Sequence, residues 1–325
     1  MKPKILINDH IPEAARELLK KECTVFETDN LDMENEQHIQ MLQDIEGIIG
    51  PKPKITEELL KYTPMLKVVS TVSVGYDNFD IKAMTDRKVI ATNTPGVLNE
   101  TTADTIFGLL LTTARRFSEM DSYVKQGHWT TKAIPESLYG VNVHGKTLGI
   151  VGLGGIGEAI AKRANKGFDM NILYHNRSRN AKAEAEYGAK YLPLDDLLRD
   201  SDFVCVMTPL TPETKGLFGE REFRVMKPSA IFVNGSRGEV VNEAALYHAL
   251  HDQEILAAGL DVYSKEPIDT TNPLLTLKNI VTFPHIGSRT LETREAMGLL
   301  ATENLLAALR GERPPNAINQ EVFQP

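Results

Sequence analysis

The stretch Gly152-Leu153-Gly154-Gly155-Ile156-Gly157 constrains this chain more than any other feature. It follows an apolar run, Thr147–Val151, and opens a helical pattern from Glu158 to about Lys166. A second apolar run, Asn171–Tyr174, comes next. Strand, glycine turn, helix and strand within about 30 residues make a βαβ unit, the context that gives such a motif its weight. The glycines allow a tight turn and a close approach of the backbone to a pyrophosphate. The helix start contributes unpaired N–H groups and a partial positive charge. A plain strand-to-helix turn is the competing reading, and the βαβ context disfavours it. The loop therefore points to a dinucleotide, with Gly152, Gly154, Gly155, Ile156 and Gly157 as the candidate binding residues.

About 20 residues beyond such a loop, an NAD site carries Asp or Glu for the ribose 2′-hydroxyl. Here the second strand ends in Tyr174-His175-Asn176-Arg177-Ser178-Arg179, without a carboxylate. Asn176, Arg177 and Ser178 suit a 2′-phosphate instead, although a solvated basic turn would look the same. One charge-assisted contact is worth roughly 1.5–3 kcal/mol, or about one to two decades of preference. NADP(H) is thus expected as the preferred cofactor, with NAD(H) possible.

The rest of the chain repeats the alternation of short apolar runs and helical patterns. Ile5–Ile7, Val25-Phe26, Gly47–Ile49, Leu66–Val69 and Val89–Ala91 read as strands, with helices opening at Pro12 and spanning Glu36 to Leu42 and about Thr56 to Tyr62. A long helix from about Glu100 to Arg116 is apolar nearly all round and is expected to be buried. Residues 118–144 are less regular and hold Trp129, the only tryptophan. Leu148–Val151, Asn171–Tyr174, Phe203–Met207, Ala230–Val233, Leu256–Leu260 and Ile280–Phe283 then read as six strands of one dinucleotide-binding sheet, and a last helix runs from about Leu291 to Leu309. Parallel strands need crossover connections, so the expected fold is α/β, with two doubly wound parallel-sheet domains. A length of 325 residues suits two domains of about 150 residues each.

Composition narrows the partners. The formal charge is −8, with no long run of one sign, whereas bulk phosphate-backbone binding needs a basic face. No nucleic-acid partner is expected. No apolar stretch approaches the ~18 residues of a membrane span, and the apolar run after Met1-Lys2-Pro3-Lys4 is too short for a signal peptide. Cys23 and Cys205 show neither a CxxC nor a metal-ligand spacing, which fits reduced core thiols and a soluble cytoplasmic protein. His248 and His251 share a helix face, but no third ligand accompanies them, so no metal site is expected.

Six segments in order carry a resemblance over nearly the whole chain: Ser73-Val74-Gly75-Tyr76-Asp77-Asn78, Asn93-Thr94-Pro95-Gly96-Val97, the glycine loop, Val233-Asn234-Gly235-Ser236-Arg237-Gly238, Gly259-Leu260-Asp261-Val262-Tyr263 through Glu266-Pro267, and Pro284-His285-Ile286-Gly287-Ser288. They resemble the D-isomer-specific 2-hydroxyacid dehydrogenase family, closest to its glyoxylate/hydroxypyruvate reductase and 2-ketogluconate reductase branch. The resemblance implies a Rossmann cofactor domain, residues 101–289, inserted in a flavodoxin-like substrate domain made of residues 1–100 and 290–325. It also implies a substrate cleft between them and a homodimer built through residues 118–145.

By the same resemblance, Arg237, Glu266 and His285 form the catalytic triad of a 2-oxo acid reductase. Arg237 would grip the substrate carboxylate, because its planar fork matches two oxygens. His285 would donate a proton to the substrate oxygen, and Glu266 would favour its charged form. Without the motifs, Arg237 reads as a surface arginine in a salt bridge and Glu266 as a loop residue before a proline. Val74 and Gly75 would offer backbone N–H groups to the substrate. Thr208, Pro209, Thr214, Gly235, Ser236, Arg237, Asp261, His285 and Gly287 would line the cofactor, with Asp261 facing the nicotinamide amide. The expected reaction is NADPH-dependent reduction of glyoxylate, hydroxypyruvate or 2-ketogluconate. Two alternatives share the same motifs: an NAD-using 3-phosphoglycerate dehydrogenase, which usually has an arginine where this chain has Gly50-Pro51-Lys52, and a non-catalytic dinucleotide-sensing corepressor on the same fold.

Overall fold

The computed structural model describes residues 2–324. The chain folds into two compact units, one of the residues up to Leu98 together with those from Arg289 onward, the other Asn99–Ser288. The breaks lie one or two residues before the positions expected from sequence, because Asn99 already begins a helix, Asn99–Arg115.

The first unit is a five-stranded sheet of β1 (Lys4–Asn8), β2 (Thr24–Thr28), β3 (Gly47–Gly50), β4 (Val68–Thr71) and β5 (Ile90–Thr92). All pairings are parallel, in the order β2-β1-β3-β4-β5. Every residue of β3 and β4 is buried, as expected of a parallel sheet covered on both faces. Its order reverses between β1 and β3, the kind of switch point where open α/β sheets bind ligands beyond their carboxyl ends. The helix Leu291–Leu309 returns to this unit. Ser70 Oγ donates to the carbonyl of Ala301 at 2.8 Å, and Gly298 lets the helix approach Pro12, whose Cδ would lie 2.9 Å from a Cβ there.

The second unit holds β6 (Thr147–Val151), β7 (Asn171–His175), β8 (Lys190–Tyr191), β9 (Phe203–Val206), β10 (Ile231–Asn234), β11 (Ala257–Leu260) and β12 (Ile280–Thr282). They form a parallel sheet in the order β12-β11-β10-β9-β6-β7-β8. This is the doubly wound dinucleotide-binding topology with its reversal at β6 and β9. Sequence reading found six of these strands. The seventh, β8, has two residues, both exposed, and so carries no apolar run. A further departure is the helix Phe117–Lys125, which buries no side chain in a segment read as irregular. Arg116 precedes it in the left-handed conformation, at φ +56° and ψ +35°, and redirects the chain there.

The Asn99–Arg115 helix buries Ile106, Phe107, Leu109 and Leu110 and lies close across the sheet. A Cβ on Gly235 would come within 2.3 Å of Ile106 Cδ1, and one on Gly259 within 2.8 Å of Leu109 Cγ. Glycine at the ends of β10 and β11 thus sets how near this helix can approach. Among the described residues, no helix is long and apolar enough to cross a membrane.

Candidate active site

The glycine turn sits between β6 and the helix Gly155–Phe168. Gly152 has φ +101°, and a Cβ on it would stand 2.5 Å from the backbone nitrogen of Thr208. A Cβ on Gly157 would stand 2.4 Å from the carbonyl oxygen of Gly152. These two glycines are demanded by the protein itself. Gly154 differs: a Cβ there meets nothing within 4 Å. The glycine caps the helix without any side-chain hydrogen bond. A helix start with free N–H groups and an uncrowded glycine fits a pyrophosphate group, which needs close backbone approach and donors.

The end of β7 is more differentiated than its sequence. Asn176 Oδ1 accepts from the N–H of Leu153 at 2.7 Å, and its Nδ2 donates to the Leu153 carbonyl at 3.2 Å. Asn180 Nδ2 donates to the same carbonyl at 3.2 Å. Both ends of the Asn176 amide are therefore committed to holding the glycine turn, a task that sequence reading had not given it. Arg179 forms a bidentate pair with Glu184, both contacts at 2.8 Å, and the Tyr174 hydroxyl also donates to Glu184. Arg179 and then Tyr174 hold the Glu184 carboxyl below its ordinary range. Arg177 and Ser178 are exposed. Among the described residues the Arg177 guanidinium has no hydrogen bond or ion pair, although it helps to lower Glu213.

Beyond β9, the Thr214 hydroxyl accepts from the Thr211 N–H at 2.8 Å and donates to the Pro209 carbonyl at 2.7 Å. Thr214 thus shapes the loop that carries Thr208 and Pro209. Beyond β10, Asn234 builds the turn that carries Arg237. It is 1% exposed; its Oδ1 accepts from the N–H and hydroxyl of Ser236 at 3.0 and 2.8 Å, and its Nδ2 donates to the Arg237 carbonyl at 3.0 Å. Asn234 lies in a segment that carries the family resemblance, but its role in this turn has no signal there beyond an amide side chain at the carboxyl end of an apolar strand.

The Asp261 carboxylate, after β11, is 2% exposed. Its oxygens accept from the N–H groups of Ile286 and Gly287 at 2.8 and 2.9 Å. Burial pushes its pKa up, against the pull of those two N–H groups and of His285. Asp261 was expected at the nicotinamide amide; its observed partners belong to the loop that carries His285. That loop is strained, for His285 has φ +53°, a conformation that L residues rarely adopt. His285 Nδ1 lies 2.7 Å from Glu266 Oε2, and the two side chains are 32% and 27% exposed. Arg237, Asp261, Glu266 and His285 all follow carboxyl ends of strands in this sheet, where such sheets present reactive groups.

In the first unit, the loop after β4 is pinned through its carbonyls. Ser73 Oγ donates to the Gly75 carbonyl at 2.5 Å, and Asn93 Nδ2 to the Val74 carbonyl at 2.8 Å. The N–H groups of Val74 and Gly75 have no hydrogen-bond partner among the described residues.

A nucleotide-binding parallel sheet with a carboxylate–histidine pair at its carboxyl edge defines a class of nicotinamide-dependent oxidoreductase. Residues 107–287 match the model of the D-isomer specific 2-hydroxyacid dehydrogenase NAD binding domain. Glyoxylate/hydroxypyruvate reductase B of Escherichia fergusonii is 47% identical over 323 residues, covering 99% of each chain. The NADPH-dependent glyoxylate/hydroxypyruvate reductase of Sinorhizobium meliloti, solved in complex with NADP and malonate, is 32% identical with a TM-score of 0.89, covering 99% of this chain and 98% of that one. A glyoxylate reductase from Paecilomyes thermophila is 31% identical with a TM-score of 0.88, covering 98% and 99%. The chain belongs to the D-isomer-specific 2-hydroxyacid dehydrogenase family and is an NAD(P)-dependent oxidoreductase.

Proposed function

We propose that this protein reduces small 2-oxo acids, among them glyoxylate, hydroxypyruvate and 2-ketogluconate, to 2-hydroxy acids with NADPH. The observation that carries this reading is the 2.7 Å pairing of His285 Nδ1 with Glu266 Oε2. A carboxylate on Nδ1 orients the ring, which leaves Nε2 as the atom that gives a proton to the substrate oxygen. Arg237, on the turn built by Asn234, takes the substrate carboxylate and polarises the adjacent carbonyl. Val74 and Gly75 offer backbone N–H donors suited to a carboxylate. The reduced nicotinamide supplies the hydride when bound. Residues up to Leu98 and from Arg289 onward serve as the substrate domain, and Asn99–Ser288 as the cofactor domain.

Arg177 and Ser178 hold the 2′-phosphate, while Gly154, Gly155 and Ile156 carry the pyrophosphate. Thr208, Pro209, Thr214, Gly235, Ser236 and Gly287 line the cofactor. The similarity to glyoxylate/hydroxypyruvate reductase B and to an NADPH-dependent glyoxylate/hydroxypyruvate reductase supports this reading. So does Gly50, where a Cβ would collide with the Asn8 carbonyl at 2.0 Å, so an arginine for a substrate phosphate has no room there. The protein works as a cytoplasmic homodimer. Phe117, Val124, Trp129 and Tyr139 are all at least half exposed, and an apolar set of this kind around one segment fits a protein–protein contact. Steady-state kinetics with a panel of 2-oxo acids, NADPH and NADH tests the proposal. Absence of turnover with every 2-oxo acid would overturn it.

A further inference from the structure

We propose that Tyr263 is a positioning residue that ties together the three loops carrying Arg237, Glu266 and His285. Its backbone N–H donates to Glu266 Oε1 at 3.2 Å, while the other oxygen of that carboxylate faces His285. Its hydroxyl donates to the carbonyl of Phe283 at 2.9 Å, two residues before His285. The Leu260 carbonyl lies farther from the same hydroxyl, at 3.4 Å. On its third side the Tyr263 backbone meets the loop of Arg237, since a Cβ on Gly238 would fall 1.8 Å from the Tyr263 carbonyl carbon. One residue therefore touches the loop after β10, the carboxylate of the loop after β11, and the chain leaving β12.

The ring that makes this possible is 7% exposed and packs in an apolar cluster with Val240, Leu260 and Leu274. Burial pushes the phenol up to about 12, so the hydroxyl stays a donor throughout the range in which a reductase is assayed. The segment after Tyr263 is held from the other side by Glu243, which accepts from the N–H and hydroxyl of Ser264 at 2.7 and 2.8 Å and from Asn272 at 2.9 Å. The Glu266 loop cannot drift while these bonds hold. Removing the phenol hydroxyl leaves the Phe283 carbonyl without that donor, and the histidine loop, already strained at φ +53°, loses one of its ties to the loop after β11, keeping those to Asp261. The 2.7 Å pairing of His285 with Glu266 is then less firmly held. The charged groups around this junction are Glu266 and Asp261 toward His285, and Asp261, Glu266 and Glu243 toward Tyr263, with Arg237 on the adjoining turn.

The inference rests on His285 acting as the proton donor, and the test separates the two. Wild type, Tyr263→Phe, Glu266→Gln and the double variant are compared by kcat and kcat/KM for 2-oxo acid reduction across pH, normalised to the fraction of protein that binds NADPH. Normalisation keeps a partly unstable variant readable. Tyr263→Phe is expected to lower kcat roughly three- to tenfold, the worth of one hydrogen bond, with the NADPH Kd within about twofold of wild type. Its rate should begin to fall with rising pH at a lower pH than that of wild type. In the Glu266→Gln background the Tyr263→Phe change should leave the pH profile unmoved. A Tyr263→Phe profile superimposable on wild type, or an equal displacement in both backgrounds, would overturn the positioning role alone. A Glu266→Gln profile identical to wild type would overturn the acid–base reading and this inference with it.

Discussion

Nδ1 of His285 faces Oε2 of Glu266 across 2.7 Å, although the two residues are 19 positions apart and leave different strands of the sheet. A proton donor for 2-oxo acid reduction must carry its proton until hydride arrives, and a carboxylate on Nδ1 orients the ring for that task. His285→Ala is expected to lower kcat by about 10²–10⁴ with NADPH binding retained, as read by cofactor fluorescence. Glu266→Gln removes the negative charge from Nδ1, so the fall in reduction rate with rising pH should set in at lower pH. Retention of most of the activity in His285→Ala would refute the assignment.

The 2′-phosphate is expected to rest on Arg177. Arg177→Ala should reduce kcat/KM with NADPH by about a decade or more and leave NADH use nearly unchanged. Arg179 acts differently, through Glu184. Arg179→Ala would expose an unneutralised carboxylate beside the site, so NADPH use should fall there too, and Glu184→Ala added to it should restore most of the loss. Equal use of both cofactors by the wild type would contradict this picture.

Two of the motif glycines should separate by what surrounds them. Gly157→Ala drives a methyl into the Gly152 carbonyl, where a Cβ would stand 2.4 Å away. It is expected to lower stability by about 1–3 kcal/mol, visible as a reduced Tm of the apoprotein. At Gly154 the space is open, so Ala there should cost the apoprotein no more than about 1 kcal/mol. The same methyl points where pyrophosphate must come close, and NADPH binding by calorimetry should weaken about tenfold or more. Unchanged binding in Gly154→Ala would contradict the placement of the cofactor.

Substrate preference follows from the absence of room at Gly50. Glyoxylate, hydroxypyruvate and 2-ketogluconate should each show a higher kcat/KM than 3-phosphohydroxypyruvate, because a distal phosphate dianion buried without a partner is costly. Pyruvate should be poorer than hydroxypyruvate where polar groups wait for the substrate hydroxyl, an unpaired group costing roughly 1–3 kcal/mol. If 3-phosphohydroxypyruvate were the best substrate of the panel, the substrate class would be wrong while the fold would stand.

Much of this molecule is written locally. The apolar runs that become β1, β3, β4, β6, β9 and β10 are legible because a parallel sheet buries both faces. The Gly152–Gly157 turn is legible because its backbone demands glycine within a few residues. The final helix, Leu291–Leu309, was readable to its ends. What the chain could not state by itself was decided by which strand ends become neighbours. Two exposed residues form β8 only because Leu173 and Tyr174 offer them a partner edge. Asn176 looked like a ligand for the cofactor, yet the β6–β7 pairing turns its amide onto Leu153. Arg179 carries the same side chain as Arg177, yet helix formation brings Glu184 within its reach. Asp261 and Tyr263 stand in a motif that does not say which groups they bind; three of their side-chain hydrogen bonds run to residues 20 to 26 positions away. Periodicity and backbone conformation depend on near neighbours and survive in sequence, whereas a hydrogen-bond partner depends on sheet order, which the packing of the whole domain decides.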